Sequence, residues 1–234
     1  VETVAIQTNL SGPVSWIEGC DLASAAFWTT YHPGETERSR FLAKIEALEA
    51  MGARYSVGMV ALRSHFDEIE RMRAELPASA YLWINAEESL QGRYTPAEVE
   101  RLATVDPLFE LNNRTYRSLG RVCAAGDTAI SVRGDGEARR CHFIDTPIGN
   151  IYDQDFETSL AAACSRLSCN CHIGYSHLRD LKFPEIFGDG LVERRAPAPA
   201  RDAALRAYGG GADPAAMAAR GITAEMLAEA LGQN

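Results

Sequence analysis

The first hundred residues alternate short apolar runs with stretches of helical periodicity. Val4-Ala5-Ile6-Gln7-Thr8-Asn9 is apolar at its start and polar at its end. Ala25-Ala26-Phe27-Trp28-Thr29-Thr30 repeats that pattern and leads into Tyr31-His32-Pro33. From about Thr36 to Met51, Phe41, Leu42, Ile45, Leu48 and Met51 recur at helical spacing, and Gly52 is placed to stop the helix. Tyr55 to Leu62 predicts a third strand. A helix capped by Ser64 follows, with Phe66, Ile69, Met72 and Leu76 on one face and Pro77 at its end. Tyr81-Leu82-Trp83-Ile84-Asn85 predicts a fourth strand. Thr95-Pro96-Ala97-Glu98 reads as a capping box with proline in the first turn, opening a helix through about Ala103.

Apolar strands separated by helices predict parallel strands covered by helices. Four such units make half or more of a barrel, or one wing of a doubly wound sheet. The polar residues Thr8, Asn9, Thr29, Thr30 and Asn85 fall at the C-terminal ends of the strands, where either architecture places its active site. Singly, each reads as the beginning of a loop; as a set they are compatible with a ligand-binding rim.

The pattern changes after about residue 110. Thr128 to Val132, the turn Gly134-Asp135-Gly136, and Ala138 to Phe143 predict a β-hairpin. Ile148-Gly149-Asn150-Ile151 follows, then a short helix from about Asp155 to Ala163. The reading is of two units: an α/β unit over 1–110 and a small cysteine-rich unit over 111–195. Residues 196–234, rich in Ala, Pro and Gly, read as a linker and a peripheral helix from about Ala224 to Leu231, capped by Thr223.

Among the 234 residues the formal net charge is −9, and Lys44 and Lys182 are the only lysines, so arginine carries nearly all the basic charge. That balance predicts no nucleic-acid partner and no anionic membrane surface. No apolar run approaches the ~20 residues of a membrane span, and a cytoplasmic location is expected. The chain opens Val1-Glu2-Thr3, with no initiator Met, and goes straight into a strand pattern, which reads as the middle of a longer protein.

Five of the six cysteines, Cys123, Cys141, Cys164, Cys169 and Cys171, lie within one segment. Without a secretory signal, metal or redox use is the better expectation for such a group. Iron–sulfur clusters take cysteine thiolates, commonly four, from several directions. The hairpin would present Cys123 and Cys141 on one side, and the Cys164–Cys171 loop would close the other. Structural zinc is the rival, since His142 and His172 each follow a cysteine, although paired CxxC knuckles are lacking. Buried or free thiols remain a third reading. Cys20 stands apart and reads as a small buried hydrophobe.

Cys123, twelve residues, Gly136, four residues and Cys141 resemble the first half of the SPASM/twitch domain of radical SAM enzymes. Ile148-Gly149-Asn150-Ile151-Tyr152 is similar to the Gly-Asn-hydrophobic stretch found after it. The run from Val4 to Leu10 resembles the third strand of a radical SAM partial barrel, so that the next three strands correspond to the fourth through sixth. Trp28 to Pro33, Arg140-Cys141-His142-Phe143 and Cys171-His172-Ile173-Gly174-Tyr175 resemble an uncharacterised bacterial subfamily of these enzymes.

The resemblance spans about residues 3–195 and carries expectations. It implies a partial parallel (β/α) barrel joined to a small cysteine-rich hairpin and helix domain. Cys123, Cys141, Cys164, Cys169 and Cys171 would supply the ligands of an auxiliary [4Fe–4S] cluster that anchors substrate or passes an electron. One cluster, as in a twitch domain, matches better than two. Thr8, Asn9, Thr29, Thr30, Gly58 and Asn85 would contribute to the wall around S-adenosylmethionine. The CxxxCxxC loop of the family, which holds a second [4Fe–4S] cluster, and its glycine-rich second-strand segment are not found in these 234 residues. The chain is then expected to be the C-terminal portion of an enzyme that cleaves S-adenosylmethionine reductively and starts radical chemistry on a peptide or small molecule, and to be inactive alone. The implied partners are that substrate and an electron donor such as flavodoxin or ferredoxin. The alternative reading is a zinc-stapled α/β binding or scaffold protein without catalysis.

Overall fold

The computed structural model describes residues 4–158 and 163–195. Its centre is a parallel sheet of four strands, β1 (Val4–Thr8), β2 (Ala25–Thr30), β3 (Arg54–Val60) and β4 (Leu82–Asn85), lying side by side in chain order. Val4 stands opposite Ala25, Ala26 opposite Arg54, and Val57 opposite Leu82. All four strands therefore end at the same side of the sheet. Among the described residues the sheet does not close into a barrel.

Helix α1 (Arg38–Ala50) joins β2 to β3, and α2 (Phe66–Glu75) joins β3 to β4. Their apolar residues Phe41, Ile45, Leu48, Ile69 and Met72 pack on Phe27, Val57, Met59, Leu82 and Ile84 of the sheet. Burying each such side chain contributes about 1.5–3 kcal/mol, so this layer holds the sheet together. The link from β1 to β2 carries only a 3-10 turn, Ser15–Gly19, with Ile17 fully buried. Ser64 does not cap α2: a 3-10 turn at Arg63–His65 precedes the helix, and His65 takes the capping position with no side-chain bond. The box before α3 (Pro96–Ala103) forms as expected, with Thr95 and Glu98 bonding each other's backbone.

The free edge of β4 is closed by side chains rather than by another strand. A turn through the short α4 (Phe109–Asn112) brings two of them back. Ile84 N–H donates to Asp106 Oδ2 at 2.7 Å, Ala86 N–H donates to Asn112 Oδ1 at 2.8 Å, and Asn112 Nδ2 donates to the Ile84 carbonyl. These bonds satisfy the ladder groups that an open edge leaves exposed.

The sheet's second face is covered by the cysteine-bearing half of the chain. Trp28, Tyr81 and Trp83 share a core with Tyr116, Cys123, Cys169, Tyr175, Leu178, Phe183 and Phe187. This half contains β5 (Tyr116–Arg117), then an antiparallel set β6 (Ser131–Val132), β7 (Glu137–Cys141) and β8 (Ile144–Asn150), then β9 (Ser168–Cys169), which pairs with β5. Two short helices, α5 (His172–Tyr175) and α6 (Phe183–Phe187), complete it.

The expected hairpin is thus the outer part of a three-stranded set. Ser131 pairs with Arg139 across the Gly134-Asp135-Gly136 turn, and the chain turns again at His142-Phe143 so that Ile144–Asn150 extends the sheet. Gly136 has φ +86°, and a β-carbon there would meet the Tyr152 ring at 2.5 Å. The turn needs glycine on both counts. The expected helix from Asp155 is not formed over 155–158. The rest of that expectation, and the linker and helix placed in 196–234, lie outside the described residues.

Candidate functional site

Residues 116–123 form a rail to which the later cysteines attach. Tyr116 pairs with Cys169 across β5 and β9. Gly120 N–H donates to the Cys164 carbonyl and Cys164 N–H donates to the Arg121 carbonyl, each at 2.9 Å. Val122 bridges to Ala163, and Cys123 bridges to Leu178. Cys141 arrives separately, at the end of β7, where Phe143 N–H points at its sulfur at 3.5 Å. Three sequence-distant segments therefore deliver thiols to one region.

The thiols influence one another electrostatically. Burial pushes the Cys141 thiol above its ordinary range, and charge on Cys123 or Cys164 would push it further. Burial likewise pushes Cys169 up to about 11, with Cys141, Cys164 and Cys171 acting in the same direction and the Cys171 N–H opposing them. All six cysteines are free thiols. Among the described residues, no three Cys, His, Asp or Glu side chains form a group that could hold a single metal ion. Sulfurs around one zinc stand about 3.8 Å apart, by its bond length and tetrahedral geometry. The outer sulfurs of a cubane stand roughly 6–7 Å apart.

The donor set suits an iron–sulfur cluster chemically: all-thiol, half-buried to buried, and drawn from several directions. Gly174 contributes space. A β-carbon there would lie 2.5 Å from Cys169 Sγ and 2.8 Å from the Phe143 ring. Neither candidate histidine joins a ligand group. His172 is buried among Trp28, Tyr175 and Phe187, with Nε2 2.9 Å from the Leu191 carbonyl oxygen. His142 packs edge-on against Phe143. Cys20 lies away from the cluster, with its sulfur 3.9 Å from the Trp16 carbonyl.

The expected rim of polar strand ends divides between the two faces of the sheet. Thr8 and Thr29 are register partners on the same side as Ile6 and Phe27, which pack with the helices. Thr29 is fully buried and donates to the Ser56 carbonyl at 2.6 Å. Thr8 Oγ1 accepts from Leu10 N–H and Asn9 Oδ1 accepts from Ser11 N–H, both at 3.0 Å, so these two shape the turn out of β1. A shared wall made of all six residues is not formed.

Thr30, Gly58 and Asn85 do share the face opposite the helices. The room above Gly58 is taken by the indole of Trp83, whose ring a β-carbon would meet at 1.8 Å. Packing therefore accounts for this glycine. Asn85 accepts from Arg194 Nη1 at 3.0 Å. Ser56, Trp28, Trp83 and Arg194 are the residues of this face that sequence reasoning passed over. The alternation along β2 to β4 placed the first three there; nothing local marks Arg194, which arrives from 109 residues beyond Asn85.

Comparison with family models, with curated proteins and with solved structures finds no match to this chain. The functional reading therefore rests on the residues and their geometry.

Proposed function

We propose that this chain is the C-terminal portion of a radical SAM enzyme, a partial (β/α) barrel whose cysteine-rich unit carries an auxiliary [4Fe–4S] cluster. The observation that carries the reading is the convergence of Cys123, Cys141, Cys164 and Cys169 from separate segments onto the non-helical side of a parallel sheet. These four would hold the cluster. Cys141 is influenced by Cys123 and Cys164, and Cys169 by Cys141, Cys164 and Cys171. Cys171 would serve through its N–H, which donates to the Cys169 sulfur and favours the thiolate.

When bound, such a cluster supplies an iron that anchors substrate or a relay that passes an electron. The chain's own part is to exclude water and hold orientation. The aromatic core of Tyr116, Tyr175, Phe183 and Phe187 lies beside the thiols and keeps that region dry. The two sheet edges also support the reading. β4 is closed by Asp106 and Asn112, whereas β1 is an outer strand with Val4 exposed, so further strands would add at β1. S-adenosylmethionine, its own [4Fe–4S] cluster, a peptide or small-molecule substrate and a flavodoxin- or ferredoxin-like donor belong to that larger enzyme. Cytoplasmic residence is part of the same proposal; among the described residues no helix is long and apolar enough to cross a membrane.

Anaerobic reconstitution with iron and sulfide tests the reading. The chain should turn brown and absorb at the blue end of the visible spectrum. A colourless chain that retains stoichiometric zinc would favour a zinc-stapled scaffold instead.

A further inference from the structure

The face of the sheet turned away from the helices holds a guanidinium supplied by the chain itself. Arg194 is 4% exposed. Its guanidinium carbon lies 4.3 Å from the centre of the Trp83 ring and 5.9 Å from that of Trp28, and Nη1 donates to Asn85 Oδ1 at 3.0 Å. The two indoles meet edge to face at 5.5 Å. Trp83 is fixed by its N–H to Ser56 Oγ at 3.2 Å and by the space over Gly58. Two buried aromatic rings, on β2 and β4, and an amide oxygen at the end of β4 are the elements that recognise a planar cation.

The segment that delivers Arg194 is less well satisfied than the site it fills. The Glu193 side chain is fully buried, yet neither carboxylate oxygen has a hydrogen-bond partner. Its nearest cation, Arg195 Nε, is 3.5 Å away. Arg194 Nε, the Thr30 hydroxyl and the Trp28 indole N–H are buried and unpartnered too. A buried carboxylate without hydrogen bonds is costly, and each orphaned donor adds to that cost. Residues 191–195 are held at the near end by the contact between Leu191 and His172, and at Glu193 by the Ser56 hydroxyl, which donates to its carbonyl, so release of the strap breaks that bond. Trp83 is thus fixed in place, while the present occupant of the site leaves polar groups unpaired.

We propose that Trp28, Trp83 and Asn85 form a binding site for the guanidinium of an arginine-bearing ligand, filled in this structure by Arg194 on a displaceable strap, Leu191–Arg195. The ligand's guanidinium takes the place of the chain's own, and the strap swings out, returning Glu193 to water. The proposal does not depend on the iron–sulfur reading.

The test is tryptophan fluorescence of the full chain titrated with N-acetyl-arginine amide. The lysine and citrulline counterparts are the controls; citrulline keeps the shape and lacks the charge. Arg194→Ala should give a saturable change with the arginine compound, about tenfold tighter than with citrulline, as expected for a desolvated cation–π contact. Adding Asn85→Ala should weaken that response. In the unmodified chain the arginine compound should speed cleavage by a glutamyl endopeptidase after Glu193, saturably and several-fold, as the strap is released. A folded Arg194→Ala chain that shows no saturable change, or responds equally to citrulline, overturns the site. If that variant does not fold, cleavage of the unmodified chain decides: a rate unaffected by the arginine compound makes Arg194 a permanent structural clamp.

Discussion

Gly174 lies so close to Cys169 that a β-carbon on the glycine would stand 2.5 Å from the cysteine sulfur and 2.8 Å from the Phe143 ring. The backbone of α5 therefore forms one wall of the thiol site, at the closest approach a glycine permits. Gly174→Ala should displace the Cys169 sulfur and the Phe143 ring at the margin of the second core, leaving the sheet and its helices packed. The expected outcome is a folded chain by circular dichroism with less than about half the iron uptake, since ligand position is set by such surrounding contacts. Uptake equal to that of the unmodified chain would show that the Cys169 sulfur is not fixed by this wall.

Gly58 and Trp83 stand in the same relation within the sheet. A methyl group at 58 would fall inside the Trp83 indole. Gly58→Ala should cost about 2 kcal/mol or more by overpacking, read as a lower urea midpoint. Trp83→Phe in the same chain should restore part of the loss, because the smaller ring frees the space. No loss in the single variant would mean that the indole moves easily.

Asp106 anchors the outer edge of the sheet. It accepts from Tyr81 OH at 2.6 Å, Ile84 N–H at 2.7 Å and Leu108 N–H at 2.9 Å, and its burial raises its carboxyl above the ordinary carboxylate range. Asp106→Ala removes the acceptor shared by these three donors and should cost about 3 kcal/mol. Asp106→Asn keeps an acceptor and should cost less. Equal losses in the two variants, by urea denaturation, would contradict this account of the edge.

The metal-free chain should be less stable on both sides of neutrality. Burial pushes Cys169 from 9.0 to about 11, and Cys141 in the same direction. Between those limits the unfolded chain releases protons that the folded chain keeps, so stability falls as pH rises. Burial lowers His177 below 6.5. As pH falls through 6.5 the unfolded chain takes a proton that the folded chain refuses, so stability falls there too. Denaturation midpoints should be highest between about pH 7 and 8.5, and Cys169→Ser should flatten the alkaline limb. A midpoint that keeps rising from pH 9 to 11 would contradict the burial of these thiols.

The parallel sheet and its first three helices were legible because each apolar run and each helical stripe is a local pattern that packing reinforces. Phe41, Ile45 and Leu48 face the core as their spacing requires. The cysteine group was legible as a group, but its geometry was not: Cys164 and Cys123 are joined through backbone bonds on residues 120–122, which no side-chain pattern reports. The strand-end residues misled because termination of a strand says nothing about facing. Alternation along β2, starting from Phe27 on the helical side, turns Thr29 towards the helices and Thr30 away. Gly58 looked like room for a ligand, and Trp83 of the adjacent strand fills it. Long-range partners of this kind are fixed by tertiary packing and leave no local trace.

The most direct test of the central claim is iron and sulfide content, with electron paramagnetic resonance after reduction, for the anaerobically reconstituted chain beside Cys141→Ser, Cys171→Ser and Cys20→Ser. The account predicts about four iron and four sulfide per unmodified chain, as for one cubane. Cys20→Ser and Cys171→Ser should retain a cluster signal, and Cys141→Ser should lose it. Zinc in place of iron, or a Cys141→Ser chain that binds iron and sulfide as fully as the unmodified one, would contradict the account.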